Sequence, residues 1–576
     1  MFIPVLLSSA LAYIVWTLAC LEVNVRRART LQVPVVRIPF SADSNVWVIL
    51  QPLVWTVLDY CIPIEWSSYP DFIRFSHRNW HFLEKSRPTA RFGSVWALVS
   101  PANTNLHVAD PDAIEEIYSR WKDFVRPNHK YNMLAFYGPS VFTVGLDDWP
   151  RHRKAVAAPF SEGLMKLVWE ESLRQTQGML HTWTTRYQAK IPSLVGDLRA
   201  LTFNVLAAAA LQDSHGLKGS NPQSKDGEVT TETYRDTLHV VLENSILLMI
   251  IPYRHLTGTL MPKGLAKIGR AAASFKSILM KIMTEQAAAL DRNSSTPGGL
   301  LTPLVRALKS QAVGYEKANA PEDVATKTKR GGLSADEILG NIFAINFAGH
   351  DTVLIALSFC LTLLAAHPDI QEWLHEEIAT VLTKHSVTIE DCDYDVFPKL
   401  MRCHAVFLET LRLFAPITGV PKIATERATS LQVGDRVVPI PPGIDVFPVL
   451  LGIQTDARYW NPEPYEWRPS RWILHPGNVG QEELLVPRKG TFFPWSDGPQ
   501  NCVGKKFSIV EGVAVLACLF YGHRLRLERG EGETEAQAKR KAIECAGDVN
   551  YNLLLRMNHP ERVRLECMRV EHTVRD

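Results

Sequence analysis

Phe492-Phe493-Pro494-Trp495-Ser496-Asp497-Gly498-Pro499-Gln500-Asn501-Cys502-Val503-Gly504 is a loop that ends in one cysteine, and a helical run from Lys505 to Tyr521 follows it. Gly498, Pro499 and Gly504 make the stretch rich in turns, so the backbone can double back before the helix starts. Cys502 therefore stands just ahead of a helix N-terminus, where free N–H groups and the helix dipole stabilise a thiolate. A thiolate presented from a tight loop under an aromatic side chain, here Trp495, suits an iron ligand that pushes electron density onto the metal. A buried structural cysteine is the plain alternative for the loop taken alone.

The rest of the chain narrows the setting. Its 576 residues are 46% hydrophobic and 21% charged, close to an ordinary globular composition, which argues against a disordered chain or a multi-span transporter. The formal charge of +2 provides no global field for nucleic acid. The nine cysteines contain no C-x-x-C pair, so neither a disulfide framework nor a structural zinc site is expected. From Pro70 onward the pattern is mostly helical, with short strand-like runs at Val95 to Val99 and Arg436 to Val438. Polar stretches at Asp213 to Thr233, Asp291 to Gly299, Tyr315 to Gly332 and Glu528 to Gly547 read as surface insertions in one large helical unit.

A long helix is expected from Ser334. Ser334-Ala335-Asp336-Glu337 forms a capping box, and apolar residues run from Ile338 to Ala366 until His367 and Pro368 stop the pattern. A helix apolar almost all round lies in a core or a membrane. His350 and Asp351 at its middle favour a helix buried in protein. Within it, a threonine can bond back to a carbonyl one turn earlier, and Gly349 beside Thr352 adds freedom, so a bend is expected there.

Further motifs share the order of a known family. Trp149 and Arg153 form a W-x-x-x-R pair, and Ala348-Gly349-His350-Asp351-Thr352 marks the central helix. Glu409-Thr410-Leu411-Arg412 is an E-x-x-R helix, and Trp467-Arg468-Pro469-Ser470-Arg471-Trp472 follows it. Together with the Cys502 loop they resemble the cytochrome P450 family, in family order over residues 149 to 504. The wording of the loop looks most like the fungal secondary-metabolism branch. The resemblance implies a mainly α fold, helix-rich with small β-sheets, binding haem b through the Cys502 thiolate. It implies a monooxygenase that activates dioxygen with electrons from NADPH, delivered by a cytochrome P450 reductase with cytochrome b5 as an auxiliary donor.

The same resemblance assigns roles. Trp495, Gly498, Cys502 and Gly504 belong to the haem loop, and Trp149 and Arg153 bind the haem propionates. Two positions depart from the family pattern: Trp495 stands for the usual Phe, and Gln500 for the usual Arg or His. Lys422 falls where some members place a basic propionate partner and is expected to compensate for Gln500. Glu409 and Arg412, one helical turn apart, would form a structural clasp with Arg471. Asp351 and Thr352 would activate oxygen, the acid relaying protons. The substrate pocket would draw on Met133, Leu134, Phe136 and Tyr137, on Ile345 and Ala348, and on Ile417, Thr418 and Val420. Asn346, Thr418 and His350 would orient a polar group of a lipophilic terpenoid or polyketide intermediate.

Met1 to Leu21 carries no charge and is long enough, at roughly 30 Å, to span a bilayer core. Arg26, Arg27 and Arg29 follow it, which favours a cytosolic globule on a retained anchor over a cleaved signal peptide. The expected division is a membrane anchor over 1–25, a linker and membrane-proximal segment over 26–69, and a haem-thiolate catalytic domain over 70–576. The expected place is the endoplasmic reticulum membrane, crossed once. Pro34 and Pro39 read as a stiff linker, and Val46 to Leu58, too short to span, as core or interfacial packing.

Two other readings compete. Pro494-Trp495-Ser496-Asp497-Gly498 comes within one residue of the G-x-S-x-G of a serine hydrolase, but the first glycine is absent. A haem-bearing scaffold without turnover is the other, and the presence of Cys502, Asp351 and Thr352 argues against it.

Overall fold

The Ser334 hydroxyl accepts the Glu337 N–H and the Glu337 carboxylate accepts the Ser334 N–H, so the capping box starts the central helix as its residues require. The computed structural model describes residues 2–570 except 42–43, 63, 132–133, 212–230, 245–246, 249–250, 259–260, 292–298, 308–331, 386, 390, 426, 476, 478, 480 and 552. The central helix is two segments, Ala335–Gly349 and Asp351–Ala365, with His350 between them. At the break the Thr352 hydroxyl donates to the Ala348 carbonyl at 2.7 Å, the competing bond expected of a threonine there.

Almost every side chain of the second segment is buried. It packs on the Leu194–Leu211 helix and on the Met401–Leu413 helix that carries the E-x-x-R motif. The Lys505–Gly522 helix, buried from Val510 to Phe520, packs on the Glu162–His181 helix. The second segment of the central helix and the Val510 to Phe520 stretch are buried all round, which is why their sequences read as apolar runs rather than amphipathic stripes. Among the described residues, Ala335–Ala365 is the stretch long and apolar enough to cross a membrane, and it is the buried core helix.

A six-stranded sheet flanks the helices, in the order Val35–Arg37, Val95–Val99, Thr104–Val108, Asp445–Pro448, Lys422–Ala424 and Phe124–Val125. The Asn105–Asp445 and Ile423–Asp445 registers place Asp445 between two neighbours. Residues 34–39, read as a linker from their prolines, thus supply a strand, parallel to Val95–Val99. Near the C-terminus, Val549–Tyr551 and Leu555–Met557 form a hairpin.

The Glu528 to Gly547 stretch is not a plain polar insertion. Thr534 and Gln537 form a capping box for the helix Glu535–Gly547, whose Ala538, Ala542, Cys545 and Ala546 are buried against the second segment of the central helix. Small residues on one face carry that packing, so a reading by polarity misses it. The other three polar stretches fall largely or partly outside the described residues.

The N-terminal helix runs Phe2–Arg29. Its end is fixed to the sheet: Val25, Ala28 and Leu31 are buried, and the Asn24 amide donates to the Ser100 and Pro101 carbonyls. Farther up, Leu11, Tyr13, Ile14, Val15, Trp16 and Leu18 are exposed. The stretch around Val46 to Leu58 is a helix, Asn45–Cys61, which buries Trp47 and Gln51 and exposes Ile49, Leu50, Leu53, Val57 and Tyr60.

Candidate active site

The Cys502 loop is a stack of tight turns. Ser496 N–H donates to the Phe493 carbonyl, Asn501 N–H to Gly498, and Cys502 N–H to Trp495 at 2.8 Å. Gly498 has φ +66°, and a Cβ there would lie 2.5 Å from the Tyr118 carbonyl oxygen, so the turn needs glycine twice over. The Trp495 indole is held by its N–H to the Ser508 hydroxyl at 2.9 Å. Among the described residues no strand runs into Ser496, which argues against the strand-to-helix elbow that the hydrolase reading requires.

Cys502 opens onto a cavity of about 1320 Å³, above the ~300–1,000 Å³ of ordinary ligand pockets. Surrounding protein pushes the thiol's pKa up, while the Gly504 N–H and the Arg153 charge oppose that rise. Trp495, Gly504, Arg126 and Arg153 share this cavity with Ile345, Ala348, Gly349 and Thr352 of the central helix.

Three cations, Lys422 buried and Arg126 and Arg153 half-buried, gather on the loop side without carboxylate partners among the described residues. Arg153 donates to the carbonyl and side-chain oxygens of Asn501, both at 2.6 Å. Arg126 donates to the carbonyls of Val141 and Gln500 at 2.9 and 3.0 Å, and burial lowers its pKa. Lys422 donates to the Gln500 side-chain oxygen at 2.7 Å, and burial followed by the Arg126 charge brings its pKa down to about 7. The Trp149 indole N–H is buried with no acceptor among the described residues. Arg126 and Arg153 on the cavity wall, with Lys422 behind Gln500, are costly to hold together unless an anion completes them.

Behind the loop, Glu409 is wholly buried and accepts five hydrogen bonds. Arg412 supplies two, at 2.7 and 2.9 Å, Arg471 one at 2.9 Å, the Trp472 indole one at 2.9 Å, and the Arg468 backbone one at 2.8 Å. Gln454 ties this cluster to the loop: its amide donates to the Arg412 carbonyl and its oxygen accepts the Phe493 N–H.

A protein-family model described as "Cytochrome P450" matches residues 73–542. The chain belongs to the cytochrome P450 family. A cytochrome P450 monooxygenase of Arthrobotrys oligospora is 28% identical over 95% of each chain. The phomenoic acid biosynthesis cluster cytochrome P450 monooxygenase of Leptosphaeria maculans is 27% identical over 89% of this chain and 90% of its own. Among solved structures, retinoic acid-bound cyanobacterial CYP120A1 shares the fold, with TM-score 0.59 and 18% identity, covering 84% of this chain and 93% of that one. This P450 is a monooxygenase of a family that binds haem through a cysteine thiolate. The cavity fits that group: a thiol lies on its wall, and the half-buried Arg126 and Arg153 beside it suit two carboxylates.

Several expectations about individual residues are corrected. Lys422 does not reach the cavity; it supports Gln500, which does. Ile345, Ala348, Ile417, Leu134 and Val420 line the cavity, but Phe136 and Thr418 do not. The Phe136 ring packs on Phe343 and Tyr137, at 4.5 and 4.9 Å between centroids, and Thr418 is buried elsewhere. Asn346 and His350 also face away: the Asn346 oxygen accepts the Tyr234 hydroxyl at 2.6 Å, and the His350 ring lies 3.0 Å from the Asn346 carbonyl and edge-on to Phe203. Met133 lies outside the described residues. Thr352 lines the cavity, whereas Asp351 pairs with Arg556. Arg126, Gln454, Leu553 and Leu554 carry no motif, and their places emerge only from the fold.

Proposed function

We propose that this P450 hydroxylates or otherwise oxidises a lipophilic small molecule, a terpenoid or polyketide intermediate of secondary metabolism. The observation that carries the reading is the Cys502 thiol on the same cavity as Arg126, Arg153 and Thr352. When bound, haem b supplies an iron at which dioxygen is activated with electrons from NADPH. Arg126, Arg153, Trp149 and, through Gln500, Lys422 hold its two carboxylates by charge-assisted hydrogen bonds. Trp495 covers the sulfur, Gly498 and Gly504 shape the loop, and Glu409, Arg412 and Arg471 keep it in place.

Leu134, Ile345, Ala348, Ile417, Val420, Leu553 and Leu554 form an apolar wall that excludes water and orients the substrate. The Thr352 hydroxyl holds a proton at the cavity, and Asp351 resupplies it from solvent. Electrons come from NADPH–cytochrome P450 reductase, with cytochrome b5 as auxiliary donor. The division into 1–25, 26–69 and 70–576 is kept, with the first part a single span of the endoplasmic reticulum membrane and the globule cytosolic. Exposed apolar side chains on the Phe2–Arg29 and Asn45–Cys61 helices support lipid contact, the second helix lying in the interface.

The test is turnover of detergent-extracted protein with reductase, NADPH and labelled dioxygen against a panel of terpenoids and polyketides. One labelled oxygen in a product, with NADPH consumed in step, is expected. Bound haem with no substrate-dependent NADPH consumption would instead favour the scaffold reading.

A further inference from the structure

The Asp351 carboxylate is held by the Arg556 guanidinium in a close ion pair, with side chains 5% and 35% exposed respectively. Arg556 lies in the Leu555–Met557 strand of the C-terminal hairpin, two residues beyond Leu554. Tyr551, Leu553 and Leu554 of that hairpin line the cavity. The hairpin is also tied to the segment after the E-x-x-R helix, because the Leu555 N–H donates to the Pro416 carbonyl at 2.8 Å, next to the cavity-lining Ile417. One short element therefore touches the substrate space with its turn and the acid beside Thr352 with its next strand.

The acid's other neighbours are charged as well. From the Leu194–Leu211 helix, Arg199 feels the charges of Asp351, Arg556 and Glu243. From the Thr231–Glu243 helix, His239 lies 3.5 Å from Arg199 and 3.2 Å from Glu243, with Asp236 also near. His350 precedes Asp351 on the central helix itself. A carboxylate paired with a guanidinium at this burial is an inert partner for the neighbouring Thr352, which faces the cavity. To serve Thr352 it must leave Arg556, and breaking a part-buried pair needs an event that moves one partner.

We propose that Arg556 is a positioning residue that makes proton supply at Thr352 depend on occupancy of the cavity. A substrate pressing on Leu553 and Leu554 shifts the hairpin, Arg556 moves with its strand, and Asp351 is released. With the cavity empty the pair holds and the acid stays latched. This inference rests on the proposed monooxygenase reading.

The experiment measures amide hydrogen exchange of the full-length holoprotein with and without a straight-chain alcohol of eight to sixteen carbons. The alcohol is the one whose addition shifts the wild-type haem spectrum. In wild type, the alcohol is expected to slow exchange over residues 549–557 and to quicken it over 350–354. In Arg556→Met the hairpin response should persist, while exchange over 350–354 is fast from the start and its response falls by about half or more, a loss readable because local openings report their own free energies. Arg556→Lys should restore the wild-type pattern, which a merely structural defect would not do. Asp351→Asn with Arg556→Met should change no more than Asp351→Asn alone.

An unresponsive 350–354 segment in wild type, an equal response in Arg556→Met, or no alcohol that binds would each overturn the proposal. The reduced carbon monoxide spectrum of each variant separates the two failures. Its absence from wild type would sink the monooxygenase reading, whereas its presence with no coupling sinks the latch alone.

Discussion

The Lys422 ammonium donates to the Gln500 side-chain oxygen at 2.7 Å, joining a strand of the large sheet to the residue two before Cys502. Gln500 stands where the family pattern has a cation, and Lys422 stands behind it as the cation. Charge has moved back one side chain, with the amide oriented between it and the cavity. Lys422→Ala removes the charge and leaves a buried amide oxygen without its donor. A charge-assisted hydrogen bond contributes about 1.5–3 kcal/mol, so haem release to an excess of a haem-scavenging apoprotein should quicken by about tenfold or more. An unchanged release rate would remove Lys422 from the haem site.

Glu409 is the acceptor on which the loop's support converges. Glu409→Gln keeps the volume but withdraws the charge facing Arg412 and Arg471, both of which point into a buried cluster. Breaking one partner of such a cluster costs ~3–5 kcal/mol. The expected result is a lower denaturation midpoint with little haem-loaded protein recovered. Wild-type stability would mean that the arginines find other acceptors.

Stability should respond to pH through Glu337. Burial alone would raise its pKa, but the Arg151 guanidinium, at 2.7 and 2.9 Å, and the Ser334 N–H bring it down to about 2. A carboxyl whose folded pKa lies below its unfolded value of 4.5 stabilises fully above pH 4.5. That contribution drains as pH falls towards 2. Denaturant melts of wild type and Glu337→Gln should therefore differ most at pH 7, less at pH 3, and converge only towards pH 2. A gap independent of pH would contradict the assignment.

Ala348 lines the cavity one turn before Thr352. Ala348→Phe should fill space above the Cys502 loop while leaving the buried faces of the central helix intact. Haem content is expected to stay near wild type, and alcohol-induced spectral shifts to weaken by at least about tenfold, the ~1.4 kcal/mol of a lost apolar contact. Undiminished shifts would place the substrate elsewhere.

Legibility in the sequence followed distance along the chain. The Cys502 turns, the Ser334 capping box, the Thr352 back-bond and the Glu409–Arg412 pair each form within a few residues, so spacing revealed them. Arg471 joined the clasp through the family resemblance, and the geometry agrees. Arg126 and Arg556 left no such mark, because the bonds that place them at the site, to Gln500 and Asp351, span 374 and 205 residues. Gln454 was silent for the same reason, being an uncharged residue whose bonds run to a carbonyl and to an N–H of other segments. Side-chain direction was the other gap. Phe136, Asn346 and His350 sit at the right heights, but their own partners turn them from the cavity. The helix within Glu528 to Gly547 was hidden because alanine and cysteine, rather than large apolar residues, make its buried face.

The proposed chemistry depends on Cys502 as the iron ligand. The most direct measurement is the absorption spectrum of detergent-extracted protein, reduced and exposed to carbon monoxide, for wild type and Cys502→Ser. A red-shifted Soret band in wild type that is lost in the variant is predicted. A wild-type protein that binds no haem, or that shows the unshifted band of histidine ligation, would contradict the central claim.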